Sequence, residues 1–272
     1  MNKEDYLISK ISSSYVGDDG AVIGNKVYSM DAFFENVHFK REWMSLAQIA
    51  RKAMLVNLSD AVAMNAKPLY ALVTLSLPKD ISTSNIDEIV TSLHNVAKEY
   101  DCEIIGGDTI AGERLDFSIT IVSQTENALT RKGLEEGDLL AYTGVLGESK
   151  RDLNRLFNGE KISNNSKFIE PILRKKFIEK ARPYLRTGMD ISDGLFCDTN
   201  KMLKMNHMGF ELLEEISDEV GSSGEEYEML IGFLAKDLEE VLHVAKKTDT
   251  ILTVFAKVAK NDALFSCVGH HF

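Results

Sequence analysis

Cysteine, basic charge and long apolar runs are all scarce in this chain. The three cysteines among 272 residues, Cys102, Cys197 and Cys267, stand singly, without a Cys-x-x-Cys pair or the spacing of a secreted disulfide scaffold. No segment approaches the ~20 apolar residues that span a bilayer, and residues 1–10 lack a signal-peptide core. We therefore expect reduced thiols and a cytoplasmic protein.

Basic residues are outnumbered by acidic ones. Lys+Arg 31 against Asp+Glu 42 gives a formal net charge of -11, which does not favour attraction to nucleic acid or to an anionic membrane. We expect neither among the partners, and an acidic protein that binds phosphate groups needs local cations.

Three common sequence motifs are also absent. The chain has no Gly-x-x-x-x-Gly-Lys-Ser/Thr, no Gly-x-Gly-x-x-Gly and no His-Glu-x-x-His, so P-loop, Rossmann and zincin interpretations lose support. Residues 190–194, Asp-Ile-Ser-Asp-Gly, superficially suggest a calcium loop. An EF-hand needs ligands at alternating positions and a terminal glutamate, so the spacing excludes it.

The hydrophobic pattern of the first half predicts an α+β fold, with helices packed on one face of a mixed or antiparallel sheet. The second helix is predicted to begin at Ser84, as its N-cap. The predicted elements are strands at 26–30, 69–77, 103–105 and 115–122, and helices at 45–65 and from residue 84.

A domain boundary is predicted between residues 143 and 153, after a strand at 139–143 and a turn at Gly144. This divides the chain into an N-terminal domain of 1–146 and a C-terminal α/β domain of 147–272. The second domain is predicted to contain a surface loop at 158–167, helices at 172–182 and 195–206, a loop at 190–194, and strands at 226–233 and 251–258 flanking a last helix.

Aspartates in apolar or glycine-rich surroundings indicate where chemistry could occur. Any one of them is readily explained as a turn former or a helix cap. Several in separate segments favour a site for a hard divalent cation such as Mg²⁺, with substrate phosphates completing its coordination shell. They are Asp18, Asp19, Asp31, Asp60, Asp108, Asp190 and Asp193.

Asp60 makes this case most clearly. It is the only charged residue between Ala53 and Ala66 in a helix that is otherwise apolar or neutral all round, and such a helix is predicted to be buried. An ionised carboxylate there is costly without a partner. A bound cation is one possible partner; a distant basic residue or a helix N-terminus is another.

Taken together, these segments resemble thiamine-monophosphate kinase, within a wider group that includes aminoimidazole ribonucleotide synthetase, selenophosphate synthetase and a hydrogenase maturation factor. The resemblance is strongest from residue 17 to 144 and around residue 190. The matching pieces are Gly17-Asp18-Asp19, Met30-Asp31, His38-Phe39, Lys52-Ala53, Val56-Asn57-Leu58-Ser59-Asp60, Gly106-Gly107-Asp108-Thr109, Arg131-Lys132-Gly133, Gly137-Asp138, Thr143-Gly144, Asp190-Ile191-Ser192-Asp193-Gly194-Leu195 and, more weakly, Ser223-Gly224-Glu225-Glu226-Tyr227-Glu228.

The resemblance implies a two-domain aminoimidazole ribonucleotide synthetase-like fold, with N-terminal sheets pairing across a homodimer. It implies direct, in-line and Mg²⁺-dependent phosphoryl transfer from ATP to thiamine monophosphate. By position, His38 and Glu225 would contact thiamine monophosphate, and Asp60, Asp108 and Asp193 would be catalytic. The implied ATP contacts are Gly107, Asp108, Arg131 and Ser192. The implied metal ligands are Asp19, Ser29, Met30, Asp31, Asp60, Asp108, Asp190 and Asp193.

Some positions depart from the family pattern. Met30 stands where threonine is usual, Gly20 where alanine is usual, and Ser223 with Glu226 where glycine and aspartate are usual. Residues 269–272 are too short to align the C-terminal aromatic that the family places against thiamine. Two alternatives stay open: another ATP-dependent enzyme of the same superfamily, similar to aminoimidazole ribonucleotide synthetase, or a non-catalytic nucleotide-binding scaffold.

Overall fold

Two five-stranded sheets organise the protein, as seen in a computed structural model that describes residues 3–267. The C-terminal segment 269–272 considered above lies outside the described residues. Among residues 3–267, no helix combines the length and apolar character that crossing a membrane requires.

The first sheet has the strand order β1-β2-β5-β3-β4. Neighbouring strands are antiparallel except for the parallel pair β3 and β4, so the sheet is mixed, one of the two arrangements predicted. Its strands are β1 Ala21–Ile23, β2 Lys26–Phe34, β3 Lys67–Pro78, β4 Glu103–Gly112 and β5 Asp116–Gln124, and the helices of this half are α1 Lys3–Lys10, α2 Leu46–Ala63 and α3 Thr83–Glu99.

Helices α2 and α3 cover one face of this sheet. Helix α2 begins with a capping box between Ser45 and Gln48, and it is buried continuously from Ala53 to Ala63, which confirms the burial predicted for it. The predicted start of α3 at Ser84 is wrong: Ser82 is the N-cap, in a capping box with Asn85. Both serines fit the preference for small hydroxyl residues at this position, so residue type alone could not choose between them.

The second sheet has the order β7-β9-β6-β10-β8, with antiparallel neighbours throughout. Its strands are β6 Leu139–Thr143, β7 Leu185–Asp190, β8 Gly209–Leu212, β9 Met229–Phe233 and β10 Leu252–Ala259, with helices α4 Glu148–Phe157, α5 Lys175–Ala181, α6 Leu195–Met205, α7 Asp218–Gly221 and α8 Leu238–Lys247. Val62 and Ala63, at the end of α2, pack into the core of this half. Helix α2 therefore joins the two halves.

Strand β6 lies at the centre of the second sheet, between β9 and β10. Sheet membership thus divides the chain between β5 and β6, earlier than the predicted division at residues 146 and 147. All five residues of β6 are buried, so its pattern has no alternation that could have assigned it to one sheet or the other.

Buried ion pairs fix the segment around Glu228, which leads directly into β9. Arg174 donates to both carboxylate oxygens of Glu228 at 2.6 and 2.7 Å, and Lys167 lies 3.0 Å away. Burial raises the pKa of Glu228, but the hydrogen bond from Arg174 and the charge of Lys167 outweigh it, and the pKa is lowered overall. Glu228 is therefore a fixed anion within the core.

Ser223 and Glu226, two of the residues that depart from the family pattern, contact each other. The hydroxyl of Ser223 donates to Glu226 Oε1 at 2.6 Å, and the same oxygen accepts the N–H groups of Gly147 and Ser149 at the start of α4. The carboxylate of Glu226, longer than that of the usual aspartate, thus caps α4. The hydroxyl of Ser223, absent from the usual glycine, donates a hydrogen bond to this carboxylate. The two changes form one structural unit.

Two glycines with similar backbone angles provide a test of the packing around Glu228. Gly144 has φ +70° and a Cβ there would lie 1.8 Å from Glu228 Oε1, whereas Gly159 has φ +76° and open space. We expect Gly159→Ala to cost about 1 kcal/mol from the left-handed conformation alone, and Gly144→Ala to cost about 3 kcal/mol or more through the added clash. Urea unfolding of both variants measures this; equal losses would contradict the packing.

Candidate active site

Three aspartates from distant parts of the chain meet at one point. Asp19 precedes β1, Asp60 lies near the end of α2, and Asp190 ends β7; one carboxylate oxygen of each lies within 4.8 Å of the other two. We call this group the aspartate cluster. Its three members were all predicted metal ligands, and the structure brings them together between the two halves of the molecule.

Burial and repulsion disfavour the ionised forms of Asp60 and Asp190. Burial raises the pKa of Asp60 well above its usual value, and the charges of Asp31, Asp190 and Asp19 add to the effect. Burial also raises the pKa of Asp190, together with the charge of Asp19, against a hydrogen bond from Ser59. Without a cation, Asp60 and Asp190 therefore favour their protonated forms.

The polar residues of α2 arrange the carboxylates around it. Asn57 Oδ1 accepts the backbone N–H of Asp31 on β2 at 2.8 Å, and the Ser59 hydroxyl donates to Asp190 Oδ2 at 2.5 Å. The run Asn-Leu-Ser-Asp thus binds one strand from each sheet and supplies Asp60 itself. This explains why polar side chains interrupt an otherwise apolar helix.

Arg131 is the local cation that the acidic composition required. Its guanidinium donates to Asp19 Oδ1, and its backbone N–H donates to Asp18 Oδ1 at 2.6 Å. Among the described residues, the second oxygen of Asp19 and the Ser29 hydroxyl are buried without a hydrogen-bond partner. Such oxygen atoms are suitable ligands for Mg²⁺.

The loop 190–194 is joined to residues 225–228 by three backbone hydrogen bonds. Glu225 N–H donates to Ser192 O at 2.8 Å, Tyr227 N–H to Ile191 O at 2.9 Å, and Ile191 N–H to Glu228 O at 2.8 Å. The predicted nucleotide loop and the predicted substrate residue therefore form one rigid unit.

Asp198, in the first turn of α6, is a site residue that the sequence interpretation missed. Its buried carboxylate accepts the N–H groups of Ser192 and Asp193 at 3.1 and 3.0 Å. Lys201 donates to Asp198 at 2.9 Å and also to Asp193. Asp198 follows the apolar run Leu195-Phe196-Cys197, so the criterion that selected the other aspartates could have found it.

The two predicted substrate residues lie near one aromatic ring. His38 stacks on Phe33 with centroids 5.5 Å apart, and its Nδ1 accepts the Phe34 N–H at 3.0 Å. Glu225 pairs with Lys52, whose Nζ lies 5.6 Å from the Phe33 centroid. His38 and Glu225 are thereby brought toward the same region, and their contact with substrate stays a prediction.

The Met30 side chain and Asp108 are exposed, unlike Asp60 and Asp190 of the aspartate cluster. The Met30 side chain is 64% exposed on the open face of the first sheet, so a ligand role there could use only its backbone. Asp108 is exposed on edge strand β4, separated from β2 by β5 and β3. Three strand spacings of about 4.8 Å put these strands roughly 14 Å apart.

A cleft of about 730 Å³ opens beside Gly107. Gly107 has φ +148°, and a Cβ there would lie 1.8 Å from the Val73 carbonyl oxygen, so only glycine fits. The cleft is lined by residues of β3, α3 and β4, which are Val73, Leu75, Val90, Leu93, His94 and residues 104–109.

Comparisons with known proteins agree with this architecture. The family profile for the N-terminal domain of AIR synthase related protein matches residues 17–125. The chain is 30% identical over 261 residues to thiamine-monophosphate kinase of Buchnera aphidicola subsp. Schizaphis graminum, covering 85% of this chain and 80% of that protein. It is 28% identical over 236 residues to thiamine-monophosphate kinase of Aquifex aeolicus, covering 82% and 77%. A solved structure described as AaThiL complexed with AMPPCP and TMP superposes with a TM-score of 0.83 at 24% identity, covering 96% and 91%.

The repulsion within the aspartate cluster predicts that Asp60→Asn stabilises the metal-free protein. Because the folded state holds the Asp60 proton more tightly than the unfolded state, the stability of the wild type should fall as pH rises above the unfolded pKa. The variant should weaken this dependence and gain about 0.5–2 kcal/mol at neutral pH.

Thermal melts in EDTA at acidic and slightly alkaline pH measure both effects. Asp87→Asn, an exposed aspartate on α3, is the matched control and should change stability by less than about 0.5 kcal/mol. A loss of stability in Asp60→Asn at neutral pH would show that Asp60 is satisfied without a ligand.

Proposed function

The chain belongs to the thiamine-monophosphate kinase family, and we propose that it transfers the terminal phosphoryl group of ATP to thiamine monophosphate, giving thiamine diphosphate and ADP. The observation that carries the proposal is the aspartate cluster. Buried carboxylates within 4.8 Å of one another are costly to maintain without a cation, and phosphoryl transfer between two anions is a reaction that uses such cations.

We propose that Mg²⁺ is held by Asp19, Asp60 and Asp190. Asp31, Ser29 and the backbone of Met30 lie on the adjacent strand β2 as further ligands, with Asp193 and Asp108 as outlying ones. The oxygen-only donor set and the unpartnered oxygens of Asp19 and Ser29 fit this ion. When bound, Mg²⁺ neutralises phosphate charge and holds the two reacting groups in line.

The chemistry requires little from protein acids or bases. The phosphate of thiamine monophosphate has a second pKa of about 6, so its attacking oxygen is largely ionised at neutral pH. A bond forms between that oxygen and the γ-phosphorus of ATP, while the bond from the γ-phosphorus to the β–γ bridging oxygen breaks and ADP leaves. Arg131 and Ser192 are proposed to position the ATP phosphates, and His38 and Glu225 the acceptor.

The cleft beside Gly107 is the proposed site of the adenine. It offers apolar and polar surface in similar amounts, and it ends at the tightly packed Gly107 backbone, where a ligand can approach without meeting a side chain. A purine base has apolar faces and polar edges, and clefts of this volume bind such groups. The solved relative that superposes with this chain is described as holding AMPPCP, an ATP analogue, and TMP.

The proposed reaction is tested by incubating the protein with ATP, Mg²⁺ and thiamine monophosphate. Phosphorus NMR should show equal amounts of thiamine diphosphate and ADP, and excess EDTA should abolish both. Binding of Mg-ATP without formation of thiamine diphosphate would contradict the kinase assignment and favour a sister enzyme of the superfamily or a scaffold.

We also propose that the first sheets of two subunits pair. The face of this sheet opposite α2 carries exposed apolar side chains on β2 and β3, the strands on either side of β5, and such a group of apolar side chains is typical of interaction surfaces. They are Tyr28, Met30, Phe34, Tyr70 and Leu72. Because Asp108 lies at the edge of the same sheet, pairing would bring a second subunit close to it.

Light scattering should therefore give twice the chain mass of 30.4 kDa for the wild type. Leu72→Glu places a charge in the centre of the apolar face and should give a monomer at micromolar concentration. Leu212→Glu changes a leucine on β8 that is at least as exposed as Leu72 and should leave the mass unchanged. A monomeric wild type would refute the pairing.

A further inference from the structure

Lys52, on α2, is a fully buried cation, and the phosphoryl-transfer chemistry described above assigns it no function. Its side chain has no exposed surface, and its Nζ lies 3.9 Å from the ring centroid of Phe168. Among the described residues, Glu225 is the one carboxylate within salt-bridge distance, at 2.5 Å. A buried lysine is costly unless paired, so this pair must form whenever the protein is folded.

Glu225 is held from two sides. Its backbone adopts a left-handed conformation with φ 54°, stabilised by the N–H bond to Ser192 O, while Lys52 fixes Oε2 of its carboxylate. The side chain nevertheless keeps 23% of its surface exposed. One part of the carboxylate is therefore committed to Lys52, and the rest is available to a ligand in a fixed direction.

The charge of Lys52 changes what Glu225 can recognise. Thiamine offers a carboxylate two attractive groups: the positively charged thiazolium ring and the exocyclic amine of the pyrimidine. A carboxylate 2.5 Å from an ammonium group belongs to a pair without net charge, so its attraction for a further cation is weak. Its oxygen lone pairs still accept a hydrogen bond from a well-placed donor.

We propose that Lys52 is a positioning residue that makes Glu225 select the amine of the pyrimidine rather than the charge of the thiazolium. This inference rests on the proposed kinase function. Lys52 does not itself touch the substrate, since its ammonium group is buried. It sets the direction and the effective charge of the carboxylate that does.

Oxythiamine monophosphate, in which a carbonyl replaces the amine, provides the first test. The wild type should show a KM for this analogue at least about tenfold above that for thiamine monophosphate, because an acceptor would face an acceptor. Glu225→Gln should reduce this discrimination, since an amide can donate to the carbonyl. Equal KM values for the two substrates in the wild type would overturn the proposal.

Lys52→Met provides the second test. It should raise the KM for thiamine monophosphate about tenfold, reduce the discrimination against oxythiamine monophosphate, and change the KM for ATP by less than about twofold. The matched control is Lys167→Met, which removes another buried lysine paired with the same segment, at Glu226 and Glu228. That variant should lower the melting temperature but leave both KM values within about twofold.

The outcomes separate the inference from the function on which it rests. Absence of thiamine diphosphate with the wild type would refute the kinase assignment itself. With an active wild type, an unchanged KM for thiamine monophosphate in Lys52→Met, or an equal rise in Lys167→Met, would refute the role of Lys52 alone. If Lys52→Met does not fold, the proposal is tested by the KM values of the wild type and Glu225→Gln for the two substrates. Equal discrimination in these two proteins would then refute it.

Discussion

Repulsion among carboxylates in a buried space governs how the two halves of this protein meet. Asp19 and Asp31 come from the first half, Asp190 from the second, and Asp60 from the helix that packs into both. Bringing them together removes them from water, which raises the pKa of Asp60 and Asp190. The stability needed to hold this arrangement comes from the continuous apolar packing of α2. The polar residues that interrupt that packing are Asp60 itself and the hydrogen-bond partners of Asp31 and Asp190.

The sequence predicted most of what depends on local pattern. The burial of α2, the mixed first sheet and the three members of the aspartate cluster followed from apolar runs and from carboxylates in unsuitable surroundings. The N-cap of α3 was misplaced by two residues because two serines satisfy the same local rule. The sheet to which β6 belongs could not be assigned, since a strand buried on both faces carries no periodicity.

What could not be predicted depends on contacts between distant residues. Lys52 and Glu225 are separated by 173 positions, and nothing near either residue indicates the other. The capping of α4 by Glu226 joins segments 79 positions apart, so the sequence shows Ser223 and Glu226 only as two separate departures from the family pattern. In the folded protein they are one hydrogen-bonded pair. Asp198 is different, because the apolar run Leu195-Phe196-Cys197 before it is a local signal of the same kind as that around the other aspartates.

Helix α2 also fixes the distance between two groups of the proposed active site. Lys52, which orients the carboxylate proposed to hold the pyrimidine, and Asp60, at the proposed phosphate end, are eight residues apart on one rigid helix, or about 12 Å along its axis. Adding or removing a single residue between them would change this separation by about 1.5 Å and rotate one group about 100° relative to the other. The rigid helix therefore fixes the distance between the two proposed binding groups. An acceptor can be selected by the distance between its pyrimidine and its phosphate as well as by its chemical groups.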